Sequence, residues 1–427
     1  MKIKVIDKTY EEVLAIPQMK AYAPKKVNIF WRTLMYLLSK PTMNKFDYSL
    51  TKVGMEKLGK KEPCLYLMNH SSFTDMKMAS VALFPKRYNV VCTFDALMGK
   101  KWLMKQIGCV PTHKYVNDIS LVRTLMQIAK KNNSSILLYP EACYSADGKT
   151  TVIPDSVGGF IKMLDIPVVM ITTSGAFARD PLYNNLQIRK VKISAEMKYV
   201  LSPAEIKEKS VEEINKVIFE CFDLDYFKWQ KDNKVKIDEP FRAEGLNRVL
   251  YKCPHCEEEG VMETRGCELY CSRCGHKYVL DEYGYLVHEG EGGKFDHVPD
   301  WYAWERAGVR AALEDGTYRL EDKVDIYMLV DTKALYRVGE GEICQTPEGI
   351  RLTGLDGKLD ILQKPQASYT LNTDFNWYEL GDIICLANQG RLYYCFPKTK
   401  KDIVSKARLA TEESFKIFKE NKALKRE

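Results

Sequence analysis

The strongest constraint on how this chain folds is a pair of cysteine knuckles, Cys253-Pro-His-Cys256 and Cys271-Ser-Arg-Cys274, separated by fourteen residues. Two residues between cysteines let one tight turn aim both thiolates at a single ion, and a second such turn completes a tetrahedral shell. Four thiolates leave no position for water. The spacing therefore predicts a structural Zn2+ held by Cys253, Cys256, Cys271 and Cys274, ahead of a redox pair or an iron–sulfur cluster. Gly275 stands where the second knuckle must turn, and Gly260 to Thr264 and Lys277 to Leu280 read as strands of a zinc ribbon. His255, Cys267 and His276 lie near enough to act as substitute ligands. The remaining cysteines, such as Cys64, Cys92 and Cys109, are scattered among apolar residues, which suits reduced thiols better than a disulfide framework.

The chain has 427 residues, 45% hydrophobic and 28% charged, which fits an ordered protein of several domains and excludes a disordered, collagenous or coiled-coil chain. Its net charge of +7 is unevenly spread, +12 over residues 1–240 and −5 over 241–427. A basic front half favours an anionic partner, whether lipid headgroups, nucleic acid or a phosphorylated substrate, although a solvated lysine-rich surface accounts for it equally well. The opening MKIKVIDKTYEE has no apolar core of the kind a secretory signal needs. Val27 to Leu38 is apolar but carries Arg32 and is too short to cross a bilayer. With Lys25, Lys26, Arg32 and Lys40 around it, the stretch reads either as an interfacial membrane helix or as an ordinary core helix.

Between residues 63 and 200, short apolar runs alternate with amphipathic stretches. Pro63 to Met68, Tyr88 to Thr93, Ser135 to Tyr139 and Pro167 to Ile171 read as buried strands, and Asp118 to Lys131 as a helix with Leu121, Leu125, Ile128 and Ala129 on one face. This alternation predicts an α/β domain with both sheet faces covered. Ser202 before Pro203 and Ser210 before Glu212 and Glu213 look like helix starts. The texture changes near residue 240. Asp300 to Ala312 looks helical, β-rich segments begin near 317, and Asp402 to Asn421 reads as a closing amphipathic helix. The expected organisation is a basic membrane-associating segment (1–62), an α/β domain (63–240), the ribbon (248–282), a linker with a helix (283–316) and a β-rich C-terminal domain (317–427). That last region resembles a pleckstrin-homology or GRAM-like domain in layout, with Phe375, Trp377 and Tyr378 read as core ahead of an exposed rim.

Asn69-His70-Ser-Ser-Phe-Thr-Asp75 follows directly on the first apolar strand. On an ideal helix, residues five apart point roughly 140° away from each other, so His70 and Asp75 meet only if His70 stands on the loop before a helix. An imidazole oriented by a carboxylate at a strand's carboxyl end is a general base for a hydroxyl nucleophile. The block resembles the NHxxxxD motif of the glycerol-phosphate and lysophospholipid acyltransferase family, which includes 1-acylglycerol-3-phosphate acyltransferases. Further blocks follow in the family's order: Gly108-Cys-Val-Pro-Thr-His-Lys114, Tyr139-Pro140-Glu141, Asp147-Gly148-Lys149 with Gly158-Gly159, and Ile166-Pro167-Val168-Val169. The resemblance spans residues 28–225.

The resemblance implies a layered α/β domain with a mixed central sheet, in which His70, oriented by Asp75, deprotonates an acceptor hydroxyl that attacks the thioester of acyl-CoA or acyl-carrier protein. Ser71 or Ser72 would then stabilise the oxyanion. It assigns Lys114 and Glu141 to the acceptor, a lysophospholipid or glycerol phosphate such as lysophosphatidic acid. Since the sequence has neither a spanning apolar run nor a secretory signal, attachment to a membrane phospholipid surface is expected to be peripheral or monotopic on the cytoplasmic face, with no spanning helix and no secretion. Two departures stand out. The third block reads Glu141-Ala142-Cys143-Tyr144 where the family has Gly and Arg, and Lys114 replaces an arginine. Arginine grips phosphate through two parallel bonds; lysine offers a point charge and tyrosine none. This leaves a rival reading, a catalytically degenerate member that binds lipid, nucleic acid or protein through its ribbon and C-terminal domain. Retention of His70 and Asp75 favours the enzyme, and the ribbon's Glu257, Glu258, Glu259, Glu263 and Glu268 oppose contact with nucleic acid.

Overall fold

The computed structural model describes residues 3–19, 22–112, 119–388 and 390–424. The chain starts with a short strand, β1 (Val5–Asp7), and two helices, α1 (Tyr10–Leu14) and α2 (Ile29–Lys45). An alternating series follows: β2 (Ser49–Val53), β3 (Leu65–Met68), α3 (Asp75–Ala82), β4 (Tyr88–Thr93), α4 (Lys101–Gln106), β5 (Cys109–Thr112), α5 (Ile119–Lys130), β6 (Ser135–Leu138), α6 (Ser156–Leu164), β7 (Val168–Ser174), α7 (Ala176–Arg179) and β8 (Ser194–Leu201). Seven of these strands make one sheet in the order β2-β8-β7-β3-β6-β4-β5. β5, β4, β6, β3 and β7 run parallel; β8 is antiparallel to β7 and parallel to β2, which makes the sheet mixed.

β3 lies between β6 and β7, and all four of its residues are buried. Its side chains alternate between two cores. Tyr66 and Met68 face the layer of α2 and α3 with Met43, Met78 and Ala82. Leu65 and Leu67 face Leu125 and Ile128 of α5, Ile161 of α6 and Ile214 and Ile218 further on. A strand covered on both faces has to be apolar at every position, which is why it reads as a continuous run rather than an alternating one. Two helices follow, α8 (Pro203–Glu208) and α9 (Val211–Cys221), each opened by a capping box: Ser202 accepts from Glu205 N (3.2 Å) and Ser210 from Glu213 N (3.1 Å). α10 (Tyr226–Asp232) ends this region.

The ribbon is a four-stranded antiparallel sheet of β9 (Met262–Arg265), β10 (Glu268–Cys271), β11 (Lys277–Leu280) and β12 (Leu286–His288). α11 (Val298–Glu314) leads into seven antiparallel strands: β13 (Leu320–Leu329), β14 (Leu335–Thr346), β15 (Gly349–Gly354), β16 (Leu359–Gln363), β17 (Asn372–Trp377), β18 (Gly381–Asn388) and β19 (Arg391–Pro397). α12 (Ile403–Leu424) closes the chain. Phe375 and Trp377 are buried, as expected of core residues, whereas Tyr378 is half-buried at their margin.

The front of the chain divides between the two large sheets. β1 pairs in parallel with β14, Val5 opposite Leu335, and Val13 of α1 is fully buried in the same core as the C-terminal strands. α2 instead packs on α3 beside the first sheet. Of the two readings of this stretch, Arg32 follows the core one: it is buried, its guanidinium donates to the carbonyls of Tyr88 and Ile107, and it lies over the Tyr88 ring. Only a left-handed glycine permits that close approach. Gly108 has φ +89, and a Cβ there would stand 2.3 Å from Val27 and 3.1 Å from Arg32.

The ribbon meets α11 through Trp301, which is fully buried, donates from Nε1 to Lys252 O (3.0 Å) and packs against Tyr278 and Phe295. Trp301→Ala removes this contact and is expected to cost about 3–5 kcal/mol of unfolding free energy, measured by urea denaturation. A loss within experimental error of zero would mean that the ribbon does not depend on α11.

Candidate active site

β3 ends at Met68, α3 begins at Asp75, and His70 stands on the intervening loop, the arrangement that the five-residue spacing requires. His70 Nδ1 lies 3.0 Å from Asp75 Oδ2. The same oxygen accepts from Ser71 N (2.9 Å) and Ser72 N (3.1 Å), so the turn wraps around one carboxylate. With Nδ1–H given to Asp75, the imidazole keeps its lone pair on Nε2. Asn69 anchors the base of the loop. Its Oδ1 accepts from Thr173 N (2.7 Å), and its Nδ2 donates to Thr173 Oγ1 (2.9 Å) on β7 and to the Tyr226 hydroxyl on α10.

The Ser71 and Ser72 groups expected as oxyanion donors are engaged inside the fold. Their backbone N–H groups are committed to Asp75, Ser71 Oγ meets Thr173 Oγ1 (3.3 Å), and Ser72 Oγ donates to Asp180 Oδ1 (2.7 Å); both residues are buried. Burial raises the Asp180 carboxyl to about 6 against the pull of Arg179. Lys114 lies outside the described residues.

Glu141 is buried directly beneath the histidine. Its Oε2 accepts from His70 N (2.6 Å) and its Oε1 from Thr151 N (3.0 Å). It therefore ties the His70 loop to the segment after the third block instead of standing free. Burial pushes its carboxyl up to about 8, although the two amide donors favour the charged form. Ala142 has φ +56, a left-handed conformation that a glycine would adopt without a Cβ penalty. Tyr144, standing where the family has arginine, lays its ring on His70 with centroids 3.9 Å apart. Tyr139 flanks the imidazole at 4.4 Å, and Phe73 stacks on Tyr144 at 5.1 Å. The side chain of His70 retains 21% exposure.

The third block is held from the far end of the chain. Arg408 on α12 donates to Tyr144 O (3.1 Å) and contacts Cys143 Sγ (3.2 Å), while its Nε pairs with Glu412 (3.0 Å). Arg306 of α11 also grips Glu412 (2.8 Å), and despite burial the two guanidiniums pull that carboxyl down to about 2. This buried network was not readable in the sequence, because nothing local connects Arg408 to a block more than 260 positions earlier.

The four ribbon cysteines converge. Cys253 and Cys274 sulfurs are 3.6 Å apart, Cys256 and Cys271 sulfurs 3.7 Å, and all four lie within 4.8 Å of one another. A tetrahedron with arms of about 2.3 Å has edges of about 3.8 Å, so this donor set fits a four-thiolate metal ion. Cys267 stays outside it, donating to Pro240 O (3.3 Å).

Residues 49–174 match the model of the family described as Acyltransferase. That match covers the His70 loop, β3 to β7 and the Glu141 block, so an acyltransferase-type domain is recognised within this part of the chain. No curated protein matches the chain. Among solved structures, it is similar to the 1-acyl-sn-glycerophosphate (LPA) acyltransferase PlsC from Thermotoga maritima, at 14% identity and a TM-score of 0.37, over 45% of this chain and 78% of that one. Overlap at that level assigns no residue role.

Glu141 has a folded-state pKa of about 8, above its ordinary 4.5, so the native state holds an extra proton between these values. Its contribution to stability is therefore lost as pH rises through that window. Relative to the wild type, Glu141→Gln is expected to gain stability between about pH 4.5 and pH 8 in urea denaturation. A difference that shrinks or stays flat over this range would contradict the assignment.

Proposed function

We propose that the chain is an O-acyltransferase that moves a fatty acyl group from acyl-CoA or acyl-carrier protein to a hydroxyl of a lysophospholipid or glycerol-phosphate-type acceptor. The observation that carries this reading is the 3.0 Å contact of His70 Nδ1 with Asp75 inside the segment matched to the family. His70 Nε2 takes the acceptor's proton as its oxygen attacks the thioester carbonyl. The tetrahedral intermediate collapses, the C–S bond breaks, and the proton passes from the imidazolium to the leaving thiolate. Asp75 holds the ring and stabilises its charged form. Glu141 positions the His70 backbone. With Tyr144 in place of a guanidinium, the acceptor's phosphate has to be held by lysine point charges, Lys114 among them, or the acceptor has a different headgroup.

The four cysteines are proposed to hold a structural Zn2+, since thiolates at these separations fill its coordination sphere. Attachment to a membrane surface is supported by the apolar side chains left outside the core on α2 and α4. Phe30, Leu37, Leu38 and Trp102 are each 58–66% exposed, and Trp31 packs edge-on to Trp102 at 5.6 Å, which joins the two helices into one face. Exposed Lys25, Lys26, Lys40 and Lys101 border it. No helix among the described residues is long and apolar enough to cross a membrane. An apolar face rimmed by lysines suits the headgroup region of an anionic bilayer.

Incubating the protein with acyl-CoA or acyl-carrier protein and a panel of lysophospholipid and glycerol-phosphate acceptors should yield acylated product by mass spectrometry. His70→Ala should lower turnover by at least about 10^3-fold without changing the circular dichroism spectrum. Product formation undiminished in that variant would remove the mechanism, and no product across the panel would favour the degenerate binding module. In sedimentation with anionic vesicles, Phe30→Ser/Trp102→Ser is expected to bind at least about tenfold more weakly than the wild type. Equal partitioning of the two would exclude this face as the membrane contact.

A further inference from the structure

Three of the chain's six histidines meet on one face of the ribbon. His255 sits inside the first knuckle, His276 follows the second, and His288 ends β12. They form a group distinct from the four cysteines: each offers a ring nitrogen, and the three nitrogens lie within 4.8 Å of one another. Tertiary structure alone brings them together, because His288 reaches the others only through the pairing of β12 with β11.

Each ring also has a partner in the protein. His288 Nδ1 donates to Gly290 O (3.3 Å), which leaves Nε2 as a bare acceptor, and that atom is buried with no hydrogen-bond partner. His255 Nε2 lies 2.9 Å from the Tyr278 hydroxyl, and His276 Nδ1 lies 3.4 Å from Cys274 Sγ. One nitrogen of each ring is thus tied to the protein, as in histidines whose other nitrogen binds a metal. An orphaned buried acceptor costs free energy unless something occupies it. A dication also gains from the adjacent thiolates, whose negative charge exceeds that of a single bound Zn2+.

We propose that His255, His276 and His288 form a second metal site on the ribbon. It would take a divalent first-row transition ion of the kind imidazole prefers, Zn2+ in the first place, with a fourth position open to water. In the ion-free arrangement His255 and His276 stack face to face, 3.6 Å apart with 13° between their planes. One of these rings must turn about its Cβ–Cγ bond for both lone pairs to reach one ion, giving up its present contact with the Tyr278 hydroxyl or with Cys274 Sγ. The proposal is independent of the acyl-transfer reading.

The test uses the full-length, reduced protein in equilibrium dialysis against a small excess of Zn2+, with metal counted by mass spectrometry. The wild type should hold about two ions per chain and His276→Asn/His288→Asn about one. In Co2+-substituted protein, the sulfur-to-metal charge-transfer absorption should be the same for both, which separates this site from the four-cysteine centre. Zinc X-ray absorption on the wild type, which needs no variant, should find nitrogen as well as sulfur in the first shell. One ion in a sulfur-only shell in the wild type, or two ions retained by the double variant, would overturn the proposal.

Discussion

One carboxylate oxygen organises the candidate site. Asp75 Oδ2 accepts from the imidazole of His70 and from the backbone N–H groups of Ser71 and Ser72, so a single atom sets both the path of the loop and the tautomer of the histidine. The loop can wrap that oxygen only because Asp75 is the first residue of α3, where the chain leaves the sheet and turns into the helix. Asn69 and Glu141 fasten the other side of the loop, to β7 and to the segment after β6. The geometry is over-determined. Such redundancy keeps a reacting group in place once substrate has displaced water from around it.

The appended regions are built into this domain rather than tethered to it. One hydrophobic core runs from Phe177 and Tyr226 beside the site, through Tyr278 of the ribbon and Trp301 of α11, to the C-terminal sheet. β1 completes the connection by taking the start of the chain to the edge of β14. The Arg306–Glu412–Arg408 network places buried charges at the same junction. Buried ion pairs contribute modestly to net stability but tolerate no mismatch, since the loss of one partner strands the other charge. Arg408 also holds the backbone of Tyr144, whose ring covers His70. The C-terminal helix is thereby in direct contact with the third block.

Much of the first domain was legible because its signals are local. β3, β4, β6 and β7 are continuous apolar runs, as strands covered on both faces must be, and Ser202 and Ser210 marked helix starts through their own side chains. Helix geometry allowed the His70–Asp75 pairing only with His70 on the loop before α3, and the block's resemblance to the NHxxxxD motif carried it. Arg32 was ambiguous, because a cation in an apolar stretch suits a headgroup contact as well as a core; in the fold one of its nitrogens reaches two backbone carbonyls and its plane lies over the Tyr88 ring. Ser71 and Ser72 misled for a related reason: the same hydroxyls and amides that suit an oxyanion also suit a buried turn.

By itself, then, the sequence determined the order of strands and helices, the histidine–carboxylate pair and the four-thiolate set, all of which depend on residues a few positions apart. The tertiary structure decided which groups remain available. It consumed the amides of Ser71 and Ser72, buried Glu141 as a brace, set Tyr144 against His70, and brought Arg408 to the third block and three histidines to one face of the ribbon. The physical reason is that a polar group's role depends on who else is within about 3 Å of it, and in a core assembled from distant segments that neighbourhood exists only after the sheets and helices have packed.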